Sequence, residues 1–235
     1  MKLRFPSFEG GFYKHHNRGN MLVANGWQYH DFGSHAHPFR DNGEYKEPEL
    51  QPEVVDIGRG RVHSGEYGQK GHNTFSISRF FIFQEMPVLT GNWYEFAAWL
   101  YVWTSKDDNP DVSAGSRYHA RSIANPWGAK DAHTMVFGRE AERRHYNQWY
   151  HASVVFQAWA PKVLVGVEGM AEFAVKHNDL YIDDATFREV WVVDSDAPPQ
   201  PVLPATGDYA EVLQKLNSIE QRLLMPGWRV VGADE

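Results

Sequence analysis

The chain has 235 residues, 42% of them hydrophobic, so it is long enough to bury one large core. Its 23 basic and 30 acidic residues give a net charge of −7, and a field of that sign repels the phosphate backbone of nucleic acids. The absence of cysteine excludes disulfides and thiolate metal sites. We therefore expect a soluble globular protein with no nucleic-acid partner.

The N-terminal region lacks the run of about 7–15 apolar residues that marks a secretory signal peptide, so none is predicted. Nowhere do about 18 apolar residues follow one another, so no membrane insertion is predicted. Both observations favour a cytoplasmic protein, or one that reaches a virion or the cell exterior after lysis.

Residues 30–60 are rich in His, Gly, Pro and charge, which predicts a long ordered loop region with an edge strand around Val54–Ile57. From about residue 75 to residue 191, apolar and polar residues alternate between clusters of Gly, Asn, Asp and Pro, a pattern typical of successive β-strands. The predicted strands are Thr74–Gln84, Trp93–Trp103, Arg117–Ile123, Tyr150–Ala158, Lys162–Glu168 and Leu180–Val193.

The C-terminal region changes character at residue 196, where four prolines in nine residues favour a stiff, extended spacer. We assign residues 1–195 to a β-sandwich, 196–207 to a linker, and 208–235 to a short C-terminal α-helix and tail. The helix is predicted over residues 208–225, capped by Asp208 and stopped by Pro226. Its apolar residues alternate at spacings of three and four, as in a coiled coil: Tyr209, Val212, Leu216, Ile219 and Leu223. Either the helix joins subunits into a homo-oligomer or it packs on its own sandwich, and the stiff spacer favours the first.

Six segments along the chain, in this order, carry a resemblance to a known family. They are Ser7–Phe12, Val23–Trp27, Phe83–Gln84, Leu89–Tyr94, Phe96–Trp103 and Asn178–Phe187. Together they resemble the first, central and last strands of jelly-roll carbohydrate-binding modules of the galactose-binding-like superfamily, the type attached to cellulases and xylanases. The resemblance spans roughly residues 5–192 and implies an all-β, jelly-roll β-sandwich with a non-catalytic, carbohydrate-binding function.

Alternation within the strands predicts which side chains face away from the core. In the strand Trp93–Trp103, one set including Phe96 and Leu100 forms an ordinary core face, and the other set carries flat aromatic rings. If this strand and the predicted strands Arg117–Ile123 and Tyr150–Ala158 are neighbours in one sheet, their outer residues form a single surface. The carbohydrate-binding residues predicted there are Trp99, Tyr101, Trp103, Arg117, His119, Arg121, Gln157 and Trp159.

Such a surface suits a glycan or polysaccharide, because sugar rings present a flat apolar face and a rim of hydroxyl groups. Alternatively, residues 30–60 or a partner subunit cover the surface and make it a protein interface. The sandwich would then serve a structural or assembly protein, such as a virion decoration, fibre or surface-array component. A third interpretation is that these aromatic side chains belong to a conventional internal core.

Three carboxylates, Glu9, Asp183 and Asp184, lie in the regions that resemble the first and last strands. Such strands lie close together in this architecture, and carboxylates with backbone carbonyls suit Ca²⁺. The resemblance implies a structural calcium ion at this place, and surface carboxylates without metal are the alternative.

No sequence motif points to catalysis. Motifs for nucleotide binding and for a nucleophilic serine are absent. The pair of carboxylates that a glycosidase needs is available among Glu85, Glu95 and Glu168, but the sequence alone does not pair them. We therefore predict that the protein is not an enzyme.

Overall fold

The computed structural model describes residues 2–55, 60–114 and 116–191, which contain twelve β-strands. Helical structure in these ranges is limited to short 3₁₀ turns, and no helix there is long and apolar enough to cross a membrane. The strands are β1 (Phe12–Lys14), β2 (Leu22–Ala24), β3 (Gln28–Asp31), β4 (Glu49–Val54), β5 (Tyr67–Asn73), β6 (Arg79–Pro87), β7 (Trp93–Ser105), β8 (Tyr118–Asn125), β9 (Val136–Phe137), β10 (Trp149–Gln157), β11 (Lys162–Ala171) and β12 (His177–Val190).

Apart from a small β1–β2 hairpin, the strands form two antiparallel sheets of five strands each. The first sheet has the order β10-β7-β12-β5-β4 and the second sheet the order β3-β6-β11-β8-β9. From β5 to β12 the chain passes back and forth between the sheets in the manner of a jelly roll, while β4 and β3 extend the edges. The predicted all-β, jelly-roll sandwich is confirmed. The predicted linker and C-terminal helix lie outside the described residues.

The main core lies between the two sheets and follows the predicted alternation. In β7, the inward side chains of Phe96, Leu100 and Val102 are buried together, with Trp27 and Tyr94 beside them. Packing is close because β11 has no side chain at residue 169. A Cβ there would lie 2.7 Å from the ring of Phe80.

The strand bounds differ most from the predictions before β7. The strand predicted to begin at Thr74 begins at Arg79, because Phe75 has a φ of 50°, outside the extended range, and its N–H bonds to the carbonyl of Val175 in the loop before β12. Of the predicted edge strand Val54–Ile57, Val54 is the last residue of β4, and residues 56–57 lie outside the described ranges.

Each sheet also carries a second apolar cluster on its outer face. On the first sheet Tyr101, Trp103 and Tyr181 are buried together, with Trp149 packed against them. The corresponding cluster on the second sheet consists of Phe32, Phe81, Phe83, Ile123, Met135 and Leu164. Loops therefore cover parts of both outer faces, and they determine where a ligand can approach.

Candidate functional site

The predicted aromatic residues Trp99, Tyr101 and Trp103 do share the outer face of the first sheet, but other parts of the chain cover most of it. Tyr101 is 7% exposed and Trp103 is 6% exposed. Arg61 lies over this cluster: its guanidinium carbon is 4.5 Å from the centre of the Trp103 ring, and its Nη1 donates to the Tyr181 hydroxyl at 2.7 Å. The expectation of a solvent-accessible face is therefore wrong for Tyr101 and Trp103.

Backbone carbonyls complete this cover. Trp103 Nε1 donates to the carbonyl oxygens of Asn109 and Val112 at 3.2 and 3.1 Å, and Trp149 Nε1 donates to that of Gly60 at 2.8 Å. Residues 60–63 and 109–112 therefore cover this cluster, and of the segment 30–60, which was predicted as the cover in the alternative, Gly60 contributes.

The remaining aromatic and amide residues of the predicted surface are separated from one another. Trp99 stays partly exposed beneath His63, whose ring stacks on it at 4.2 Å. Gln157 donates to the carbonyl oxygen of Gly91. Trp159 lies beyond the end of β10 and stacks on Trp127, which follows β8 of the other sheet.

The predicted polar residues Arg117, His119 and Arg121 belong to the second sheet, because β8 pairs with β11 and not with β7 or β10. The expectation that they share one surface with Trp99 is therefore wrong. The predicted alternation along this segment is correct, because the intervening Tyr118 and Ala120 are buried in the main core.

Arg117 and His119 already have carboxylate partners. Arg117 Nη2 lies 3.0 Å from Glu140, and the His119 ring nitrogens lie 2.8 Å from Glu140 and 3.3 Å from Glu172. Burial raises the pKa of Glu140, but hydrogen bonds from His119 and Arg117 outweigh this effect and hold the pKa below its usual value. Glu140 therefore remains charged at neutral pH and keeps both basic side chains in place.

Arg121 instead belongs to a buried ion triad with Glu168 and Arg79. Glu168 is fully buried, and its two oxygens accept hydrogen bonds from Arg79 Nε at 2.8 Å and Arg121 Nε at 2.6 Å. Arg79 also donates through Nη1 to the carbonyl oxygen of Ala36 at 2.7 Å. The two guanidinium groups are thus fixed on the outer side of the sheet.

An open pocket of about 390 Å³ lies above this triad, between the loops at residues 33–38 and 131–134. It falls within the range of about 300–1,000 Å³ that is usual for ligand sites. The residues that line it are His35, Ala36, His37, Pro38, Arg79, Arg121, Ala132, His133 and Met170.

His37 is the buried imidazole of the pocket. Its Nε2 lies 3.1 Å from the carbonyl oxygen of Ser78, and its Nδ1 accepts the N–H of Phe39. Burial lowers the pKa of His37, so this ring is neutral at pH 7 and donates through Nε2. The positive charge at the pocket floor therefore comes from Arg79 and Arg121.

The predicted calcium residues meet at one loop. Glu9 Oε1 accepts the N–H groups of Glu66 and Tyr67 at 2.8 and 2.9 Å. Asp183 and Asp184 accept hydrogen bonds from the preceding residues of the same loop, His63 and Ser64.

Asp183 Oδ2 accepts the N–H groups of His63 and Ser64 at 2.9 and 3.1 Å. Asp184 lies 2.6 Å from His63 Nδ1 and accepts the Ser64 hydroxyl at 2.9 Å. These oxygens are engaged by N–H and O–H donors, and no group of three or more His, Asp or Glu side chains in the described ranges could hold a metal. The hydrogen-bonded arrangement of these carboxylates does not fit a calcium ion. The structural calcium ion that the resemblance implies stays a prediction from the sequence.

No family model matches the sequence, and no match was found among curated proteins. Structures similar to this chain include several carbohydrate-binding modules, of families 4, 16, 22 and 61, all at low identity.

A family 16 carbohydrate-binding module is 16% identical and has a TM-score of 0.42; the match covers 80% of this chain and 99% of the module. The family 22 xylan-binding domain from Paenibacillus barcinonensis is 10% identical, with a TM-score of 0.47 and coverage of 82% and 97%. A Stig cyclase from Fischerella sp. TAU is 8% identical, with a TM-score of 0.48 and coverage of 81% and 98%. The jelly-roll assignment rests on the strand order of this chain.

Sequence reasoning missed Arg79 as a site residue and gave Glu168 only as one of three available carboxylates. A signal was present in β11: after the exposed Lys162 at its start, Glu168 is the single charged residue among apolar residues and glycines. Because an isolated buried carboxylate is costly, such a residue indicates a buried ion pair.

Proposed function

We propose that the protein is a non-catalytic glycan-binding domain whose ligand binds in the pocket on the outer face of the second sheet. The observation that carries the proposal is the Arg79–Glu168–Arg121 triad, whose two arginines line that pocket. It presents hydrogen-bond donors in a fixed geometry, and fixed donors suit a ligand that is rich in hydroxyl oxygens.

The walls of the pocket supply the apolar contacts that a sugar ring also needs. Ala36, Pro38, Ala132 and Met170 line it beside the polar groups. Phe137, which is 39% exposed, lies directly under the guanidinium of Arg121, 3.8 Å from its central carbon. Mixed apolar and donor surfaces of this kind match the two faces of a sugar.

The same geometry supports binding rather than hydrolysis. A glycosidase needs two carboxylates across the scissile bond. Glu168 is committed to two arginines, and no Asp or Glu is among the described residues that line the pocket. The alternative of a structural or assembly role stays a hypothesis from the sequence.

A glycan array probed with the full chain tests the proposal, followed by titration of the strongest ligand against two variants. Arg121→Gln should weaken binding about tenfold or more, because a hydrogen bond to a charged group is worth about 1.5–3 kcal/mol. Trp99→Ala, on the other sheet, should leave the affinity unchanged. Absence of any glycan binding, or a loss confined to Trp99→Ala, would refute this function.

A further inference from the structure

We infer that the pocket selects glycans carrying an acidic group, a carboxylate or a sulfate, over neutral glycans. This inference rests on the proposed function and names the ligand class of the same site. It follows from the charge of the pocket floor, from the free nitrogens of Arg121 and from the way Glu168 fixes them.

The pocket floor has an excess of positive charge. Arg79 and Arg121 share a single carboxylate, that of Glu168, and no acidic side chain is among the described lining residues. The chain as a whole carries a net charge of −7, so the pocket is opposite in sign to the molecule around it. Such a local charge favours an anionic ligand group.

Arg121 supplies the free hydrogen-bond donors. Its Nε is bonded to Glu168, whereas Nη1 and Nη2 donate to no acceptor in the described part of the chain. The side chain is only 19% exposed, and the ring of Phe137 covers one face of the guanidinium. A guanidinium with restricted access to water and two free terminal nitrogens is suited to bidentate recognition of a carboxylate or sulfate.

A neutral sugar is the poorer match for this site. It would remove water from the Arg121 charge while supplying only dipoles, and the desolvation of an uncompensated charge is costly. An acidic group supplies the missing charge. Because Glu168 already holds both guanidinium groups in place, little side-chain entropy remains to be lost on binding.

The test compares ligands that differ in charge but share a sugar ring. The full chain is titrated calorimetrically, at constant ionic strength, with an oligogalacturonate, its methyl ester and a sulfated galacto-oligosaccharide. We expect the acidic forms to bind at least about tenfold more tightly than the neutral ester, with an advantage that decreases as salt is raised. Comparing the oligogalacturonate with the sulfated oligosaccharide shows which acidic group the Arg121 guanidinium binds more tightly.

Variants test whether Arg121 causes the preference for acidic ligands. Arg121→Gln should abolish the preference for the acidic form, and Arg121→Lys should keep only part of it, because lysine retains the charge but lacks the planar fork. Arg188→Gln is the matched control, since Arg188 pairs with Glu95 on the first sheet. Circular dichroism and melting curves show whether each variant is folded.

The wild-type ligand comparison does not depend on any variant folding. Equal or tighter binding of the neutral ester would overturn the inference and leave the proposed function standing. Array binding restricted to neutral glycans would do the same. If neither acidic nor neutral glycans bind, both the inference and the proposed function are wrong.

Discussion

The guanidinium of Arg61 lies over the ring of Trp103, with its central carbon 4.5 Å from the ring centre. Arg61 is 5% exposed, which is rare for arginine and shows that this residue is part of a packed outer layer. Its contact with Trp103 is one reason why Trp103 and Tyr101, on the aromatic face of the first sheet, are buried.

Replacing Arg61 should open this layer. Arg61→Ala removes the cation–π contact and the hydrogen bond to Tyr181, so we expect a loss of about 2–4 kcal/mol in the free energy of unfolding. Urea denaturation followed by tryptophan fluorescence measures it, and the exposed Arg40→Ala serves as the control. Equal stability of the two variants would show that Arg61 contributes no more than an ordinary surface arginine.

Glu168→Gln should be among the most destabilising single-atom changes on the second sheet. It leaves two partly buried guanidinium groups without their carboxylate, and breaking a buried pair costs about 3–5 kcal/mol. Glu85→Gln, on the same sheet, breaks only the exposed pair with Lys162 and should cost less than about 1 kcal/mol. The two costs are compared by chemical denaturation; similar values would contradict the role of the triad.

Asp183 should make the stability depend on pH. Burial raises its pKa from 3.8 to about 6, so between these values the folded chain holds the proton that the unfolded chain releases. The unfolding free energy therefore falls as the pH rises through this window, by about 3 kcal/mol in total.

Asp183→Asn removes this titration. The difference in unfolding free energy between wild type and variant should shift in favour of the variant from pH 4 to pH 7, measured by urea denaturation at unit intervals. Parallel stability curves for the two proteins would mean that Asp183 does not titrate in this range.

The melting temperature with and without calcium tests whether an ion binds at the same loop. Since N–H and O–H donors engage Glu9, Asp183 and Asp184, we expect millimolar CaCl₂ or EDTA to change the melting temperature by less than about 1 °C. A rise of several degrees in calcium, reversed by chelator, would instead support the ion that the sequence resemblance implies.

The C-terminal prediction concerns residues outside the described ranges. If the apolar stripe at residues 208–225 joins subunits, deletion of residues 205–235 should lower the oligomer mass in light scattering and leave the β-rich circular dichroism intact. A monomeric full-length chain, or unfolding on truncation, would assign the helix an intramolecular role.

Six of the twelve strands in the described ranges, β6, β7, β8, β10, β11 and β12, were predicted from the sequence, because their apolar segments are bounded by turn residues. β5 was missed since its sequence contains Gly68 and Gly71 and no β-branched residue, and β4 contains Pro52.

The site was less predictable than the fold. Alternation assigns each side chain to a face, but it does not say which strands are neighbours. Arg121 was therefore placed beside Trp99, although their strands belong to different sheets. The burial of Trp103 depends on Arg61, forty-two residues earlier, and no local pattern reveals such a contact.

The position of β12 affects how the chain folds. β12 is the middle strand of the first sheet and the last of the twelve in sequence, and its neighbours β5 and β7 do not pair with each other. The first sheet therefore cannot close on the ribosome before about residue 190 has been synthesised. Pairing between strands so distant in sequence is slow, and until it occurs β5 and β7 present open edges. A nascent chain that stops short of β12 is for this reason prone to aggregate.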